Sequence, residues 1–311
     1  QQRAPGPRLV LVATSGDTGA AVASAFWRLP GFRVVVLYPR GRVTPLQERQ
    51  LASLGDNVRA LAVEGSFDDC QALVKGCFAD AALSRELGLT SANSINIARL
   101  LAQVLYYVDA LAQLRALGEQ GAPVFSVPSG NFGNLCAGVM ARQLGLPVRA
   151  FVVATNANRT VPDYLDSGRY RPRPSVATHS NAMDVGDPSN WERIEHLLGG
   201  DLEALRRLLR WGYLSDEDTQ ASLRALQQQG YLADPHAAVA AGVLQRHLAP
   251  GELGIFLATA HPAKFREVLE QLLGVQVALP PALARLAQRP LLSTPLAVDP
   301  AGLRRVLREE G

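Results

Sequence analysis

Arg8-Leu9-Val10-Leu11-Val12-Ala13-Thr14-Ser15-Gly16-Asp17-Thr18-Gly19-Ala20 is the stretch on which the reading of the fold turns. Residues 8–13 form a short β-type apolar run, 14–19 a turn rich in glycine and hydroxyls, and an alanine-rich helix follows to about Leu29. The same grammar returns in Val124-Phe125-Ser126-Val127-Pro128-Ser129-Gly130-Asn131-Phe132-Gly133-Asn134, with a strand over 124–127 and a helix over 135–144. Between these stretches, 33–38 and 58–63 read as strands. One helix begins near Pro45 with Thr44 as its cap. Another runs from about Ser66 to Leu87, capped by Ser66 and stopped by Gly88. Strands that repeatedly lead through a turn into a helix predict an α/β protein, with parallel sheets covered by helices on both faces.

The rest of the chain extends this pattern. A long helix is predicted over 95–117 and a strand over 148–154, followed by an Asn-, Pro-, Arg- and Ser-rich loop over 155–187. Helices return over 191–229, and a late strand over 253–258 delivers Thr259-Ala260-His261-Pro262. After Leu279 the chain reads as a tail packed on the body. This suggests a smaller α/β domain over 8–92 and a larger one over 93–311, with a helical insertion at about 155–235.

Composition narrows the classes. The chain has 311 residues, 48% hydrophobic and 19% charged, an ordinary globular balance. A net charge of +3 gives no case for nucleic acid. No apolar run reaches the length that crosses a bilayer, so no membrane is expected. The three cysteines, Cys70, Cys77 and Cys136, have no metal-ligand spacing, and reduced thiols point to the cytoplasm. All but two of the 31 basic residues are arginine, the exceptions being Lys75 and Lys264.

Two loops carry candidate chemistry. A loop such as 129–134, between a strand and a helix N-terminus, aims backbone N–H groups and the helix dipole at one spot, as a phosphate dianion requires. The hydroxyls and N–H groups of 14–19 suit a carboxylate or a phosphate. Each loop alone also reads as an ordinary turn, with Asp17 and Thr18 as capping residues.

Taken in order, several blocks resemble the threonine synthase family. They are Ala13-Thr14-Ser15-Gly16-Asp17-Thr18-Gly19-Ala20, Asn93-Ser94-Ile95-Asn96, Val127 to Asn134, Ala182-Met183-Asp184 with Pro188-Ser189-Asn190, Pro235-His236, and Thr259-Ala260-His261-Pro262-Ala263-Lys264-Phe265. The resemblance covers about 9–279. It implies the fold type II architecture of pyridoxal-phosphate (PLP) enzymes, tryptophan synthase β-like, and a lyase of amino-acid biosynthesis. On that basis Gly130, Asn131, Phe132, Gly133 and Asn134 bind the cofactor phosphate, and Thr259 meets the pyridine nitrogen. Thr14, Ser15, Gly16, Asp17 and Thr18 hold the substrate carboxylate, and Asn96 and Arg99 are candidates for the substrate phosphate. His261 reads as structural rather than as a proton shuttle. The implied reaction converts O-phospho-L-homoserine and water to L-threonine and phosphate.

One departure stands out. The family's Schiff-base lysine lies in a Phe-Lys-Asp motif upstream of the Ser-Gly-Asp-Thr-Gly loop, and these residues contain no such motif. Lys75 lies mid-helix, and Lys264 belongs to the His-Pro-Ala-Lys-Phe block. The catalytic residue is therefore unassigned, part of the larger domain is expected to be missing, and the chain alone is expected to be inactive. An open second sheet with exposed apolar surface should follow, and Ser15, Gly130 and Thr259 should line one cleft. Three alternatives stay open: another fold type II lyase (a dehydratase or phospholyase), a Rossmann nucleotide binder, and a non-catalytic scaffold. The Rossmann reading lacks GxGxxG after the first strand and an acidic residue near Tyr38-Pro39-Arg40.

Overall fold

In the computed structural model, which describes residues 8–14, 16–93 and 96–309, the first strand β1 (Arg8–Ala13) is buried at every position but its first. Then follow α1 (Asp17–Phe26), β2 (Phe32–Pro39), α2 (Pro45–Ala52), β3 (Val58–Val63), α3 (Phe67–Ala79), α4 (Ala81–Glu86) and the two-residue β4 (Leu89–Thr90). Near-continuous apolar strands are what a parallel sheet buried on both faces requires. On one face Val10, Val12, Val34, Val36 and Val58 pack with Val22 and Ala23 of α1. Both expected helix caps are present as reciprocal pairs. Thr44 Oγ1 accepts from Gln47 N at 3.2 Å while Gln47 Oε1 accepts from Thr44 N at 3.0 Å, and Ser66 and Asp69 do the same at the start of α3. The helix expected over 66–87 is broken at Asp80, whose carboxylate accepts from Ala82 N and Leu83 N and so starts α4 as a separate helix.

The second part begins with α5 (Ile97–Ala116), β5 (Val124–Pro128), α6 (Gly133–Gln143), β6 (Ala150–Thr155) and α7 (Thr160–Ser167). It continues with α8 (Trp191–Leu197), α9 (Leu202–Leu208), β7 (Leu209–Tyr213), α10 (Asp216–Gln228), α11 (Pro235–His247), β8 (Gly254–Phe256) and α12 (Arg266–Leu273). Among the described residues its parallel strands run in the order β7-β6-β5-β8. The core beneath α5 and α6 is aromatic: Tyr107 meets Phe125 and Phe151 edge-on, with centroids 5.0 and 6.0 Å apart. The β8 edge is only half-buried, and α5 exposes Ile97, Leu101, Leu105, Tyr106 and Val108. No helix among the described residues is long and apolar enough to cross a membrane.

Two expectations about organisation are corrected. Residues 155–235 are not a purely helical insertion, because β7 lies within them as an edge strand of the second sheet. Gly212 lets α11 approach β7 closely; a Cβ there would sit 3.0 Å from Val243 Cγ1. The larger domain also does not extend to residue 311. The chain closes with α13 (Pro281–Ala287), β9 (Thr294–Leu296) and α14 (Pro300–Arg308), and it divides into the units Gln1–Asn93 with Ala278–Gly311 and Ser94–Val277. The cause is pairing and burial. β9 joins β3 in parallel with Val63 opposite Leu296, which makes the first sheet's order β4-β1-β2-β3-β9, and α14 buries Leu303 and Leu307 completely.

A polar network orders the segment after α7. Asp184 Oδ1 accepts from Thr178 Oγ1 at 2.7 Å, Asn156 Nδ2 at 2.9 Å and Asn158 Nδ2 at 3.1 Å, while Oδ2 accepts from Thr178 N at 3.0 Å. Burial pushes the Asp184 carboxyl up to about 7, against the pull of these donors toward the charged form.

Two outcomes follow. Leu303→Ala should cost about 2–5 kcal/mol and lower the unfolding midpoint of the first unit while leaving the second unchanged, read by hydrogen exchange resolved along the chain. For Asp184 the folded state binds more protons than the unfolded chain between about pH 4 and 7, so its contribution to stability falls as pH rises through that window. Asp184→Asn should lower stability by an offset at every pH yet flatten this slope, measured by denaturant unfolding from pH 4 to 8.

Candidate active site

β5 runs into Ser129, whose N–H donates to Ala154 O of the neighbouring strand at 2.8 Å and so holds the start of the loop on the sheet. Phe132 then adopts a left-handed backbone (φ 60) at the entry to α6, and no side chain caps this helix. The ring of Phe132 is buried edge-on against Trp191, 5.5 Å between centroids, so its side chain is an anchor and only its backbone is available to a ligand. The first N–H groups of an α-helix lack intrahelical partners, and here they add to the positive end of the dipole without competition from a cap.

The loop is held from outside by two distant segments. A Cβ on Gly130 would lie 2.7 Å from Ala182 O and 2.9 Å from Met183 Cα, so only glycine fits that contact. Asn131 Oδ1 accepts from Ser189 N at 3.2 Å, and Asn131 O accepts from Asn190 Nδ2 at 2.9 Å. The Asn131 carbonyl groups thus lock the loop to 189–190. Tyr107 of α5 donates its hydroxyl to Asn134 O at 2.7 Å, and Asn134 Oδ1 is buried without a partner.

Thr259 reaches the same sheet edge by strand pairing. Ser126 of β5 lies opposite Phe256 of β8, and both strands run parallel, so Ser129 and Thr259 each follow three residues beyond that pair. Thr259 is exposed there. His261 Nδ1 accepts from Ala263 N at 3.1 Å and caps the 3₁₀ turn Pro262–Phe265, the structural role expected of it.

In the first unit, Ser15 lies outside the described residues. Thr14 is buried, and its Oγ1 accepts from Gly16 N at 3.0 Å and Gly19 N at 2.8 Å while donating to Gly16 O. The Thr14 hydroxyl is thus engaged within the loop, which it shapes. Gly16 has a backbone conformation (φ 150) that other residues rarely adopt, and a Cβ there would crowd Gln47 Nε2 at 2.7 Å. The same Gln47 Nε2 donates to Asp17 Oδ1 at 3.3 Å. Asp17 and Thr18 open α1, whose start carries no side-chain cap.

Asn96 caps α5, its side chain accepting from Ala98 N at 3.1 Å. Arg99 is half-buried rather than solvated, and burial holds its guanidinium below the ordinary value. Of the two lysines, Lys75 is exposed on α3 and Lys264 is half-buried in the 262–265 turn. Sequence reasoning missed the parts played by Asp234 and His236. The His236 ring accepts from Ala182 N, the residue that abuts Gly130. The Pro235-His236 pair was visible, but nothing local revealed its partner 54 residues away.

The chain is similar to known proteins over nearly its whole length. The family model for pyridoxal-phosphate dependent enzymes matches residues 1–259, and that for the C-terminal part of threonine synthase matches 237–306. Threonine synthase of Haemophilus influenzae is 53% identical over 308 residues, covering 98% of this chain and 71% of that protein. The crystal structure of threonine synthase from Escherichia coli superposes with a TM-score of 0.93 at 52% identity, covering 97% of this chain and 70% of that one. A PLP-bound threonine synthase from Brucella melitensis gives 0.86 at 36% identity, with the same coverage. With so much of its length matched at this identity, the chain belongs to the PLP-dependent enzymes of fold type II and, within them, to the threonine synthases.

Proposed function

We propose that the residues of this chain serve the conversion of O-phospho-L-homoserine and water to L-threonine and phosphate. The observation that carries the proposal is the uncapped start of α6 behind Gly130, on the same sheet edge as Thr259. These residues fit PLP: the loop 129–134 contains no acidic side chain, offers free helix N-terminal donors, and approaches a neighbouring backbone too closely for any residue but glycine. When bound, PLP supplies an electron sink for negative charge developing at the substrate's Cα and then Cβ.

In this reading the N–H groups of Gly133 and Asn134 hold the cofactor phosphate, aided by the α6 dipole. Phe132 fixes the loop through its buried ring, and Asn131 through its clamp on 189–190. The Thr259 hydroxyl bonds the ring nitrogen without enforcing its protonation, as a carboxylate would. The N–H groups at the start of α1, with Thr18, hold the substrate carboxylate, and Thr14 and Gly16 shape that turn. Arg99 binds the substrate phosphate, for which a guanidinium offers paired donors. Asn96 supports it by capping α5.

The general acid–base is a separate matter. Neither Lys75 nor Lys264 lies in the family's Phe-Lys-Asp motif, so neither is assigned as the general acid–base. The three buried thiols, free of disulfides, suit a cytoplasmic setting.

Asn131→Asp tests the phosphate site. The new carboxylate keeps the bond from Ser189 N, so the melting temperature should hold, while its charge beside the cofactor phosphate weakens PLP binding about tenfold or more. Fluorescence titration with PLP reads this, and an unchanged affinity would move the site elsewhere. For the reaction, the 311-residue chain incubated with PLP and O-phospho-L-homoserine should release no phosphate above background. Measurable turnover would mean that Lys264 or Lys75 can act as the base.

A further inference from the structure

We propose that His236, oriented by Asp234, is a positioning residue that sets the spacing between the cofactor-phosphate loop and the segment bearing Thr259. The proposal rests on the reading of residues 129–134 as that loop. Both side chains are buried, His236 at 3% and Asp234 at 1% exposure. Asp234 caps α11 by accepting from His236 N at 2.9 Å and Ala237 N at 3.4 Å, and the same Oδ1 meets His236 Nδ1 at 2.7 Å. A carboxylate oxygen at that distance places the ring proton on Nδ1 and leaves Nε2 as an acceptor. That acceptor takes the N–H of Ala182 at 3.2 Å. Ala182 O and Met183 Cα are the atoms against which Gly130 is pressed. On its other side the imidazole packs against Phe265, 4.9 Å between ring centroids, and Phe265 ends the 3₁₀ turn that follows Thr259.

One ring therefore touches the segment that abuts Gly130 and the 3₁₀ turn that follows Thr259. Capping α11 does not require this, since the two backbone donors already serve Asp234 as an N-cap. Asp234 Oδ2 is moreover buried with no partner, a costly state that a plain cap on the surface would avoid. The cost is understandable if the carboxylate's task is to hold the imidazole in one tautomer and one orientation. Removing the acceptor at Nε2 frees Ala182, and the contact floor under Gly130 becomes mobile before any unfolding occurs.

Two substitutions separate this role from a structural one. His236→Asn can still donate to Asp234 but cannot reach Ala182; His236→Gln presents an oxygen near the place of Nε2. Both are made in the 311-residue chain and checked for an unchanged circular dichroism spectrum. PLP affinity is measured by fluorescence titration, and amide exchange at residues 130–134 is followed without PLP. His236→Asn should weaken PLP about tenfold and speed exchange at 130–134, whereas His236→Gln should stay within about threefold of the parent, the difference one hydrogen bond makes. Unchanged exchange and affinity in His236→Asn, or equal losses in both variants, would overturn the proposal. If the parent itself takes up no PLP, the reading of the loop fails, and the exchange data still decide whether His236 holds the Gly130 contact.

Discussion

The close backbone contact between Gly130 and Ala182–Met183 is the constraint on which the second unit's site depends. It leaves room for no side chain at 130, and it brings the end of β5 against a segment that is irregular apart from one 3₁₀ turn. Such a segment has no helix or sheet ladder to satisfy its polar groups, so it must be tied down by side chains. The Asp184 network with Thr178, Asn156 and Asn158 does so on one side, and His236 does so at Ala182. The cost of burying Asp184, visible in its raised pKa, is part of holding this irregular floor in place.

Above that floor the electrostatics are simple. α6 starts without a cap, and the left-handed Phe132 turns the chain so that the first helical N–H groups are presented rather than folded back. An anion completes such a helix start as a capping side chain would, with the dipole adding to the attraction. Thr259 is delivered to the same edge because β8 pairs directly with β5, which makes its position a property of sheet order rather than of any loop motif.

The first unit reaches a similar end by another route. There a buried threonine, Thr14, satisfies the N–H groups of Gly16 and Gly19 itself, and Gln47 presses on Gly16 while holding Asp17. Gly16, Asp17 and Gly19 are thus held in place by Thr14 and Gln47. Rigid turns at strand ends cost less to organise on binding than flexible ones, which is how a parallel sheet supports chemistry on its loops.

Much of this was legible in the chain itself. The apolar runs at 8–13, 33–38, 58–63 and 124–127 announce buried parallel strands, because a strand covered on both faces needs no polar alternation. Thr44 and Ser66 announce helix starts, since a cap acts within three residues. The glycines of both loops announce tight turns between a strand and a helix for the same local reason. Long-range pairing decided the rest. β7 and β9 are short and interrupted by Gly212 and Pro295, so only the neighbouring strands make them strands. Asp80, by contrast, is a local cap that divided a helix which periodicity alone would continue. The grouping of residues 278–311 with the first sheet, the clamp of Asn190 on Asn131, and the reach of His236 to Ala182 all join residues tens to hundreds of positions apart. Local chemistry can be read from neighbours in sequence; a contact whose two halves are each unremarkable exists only once the chain has folded.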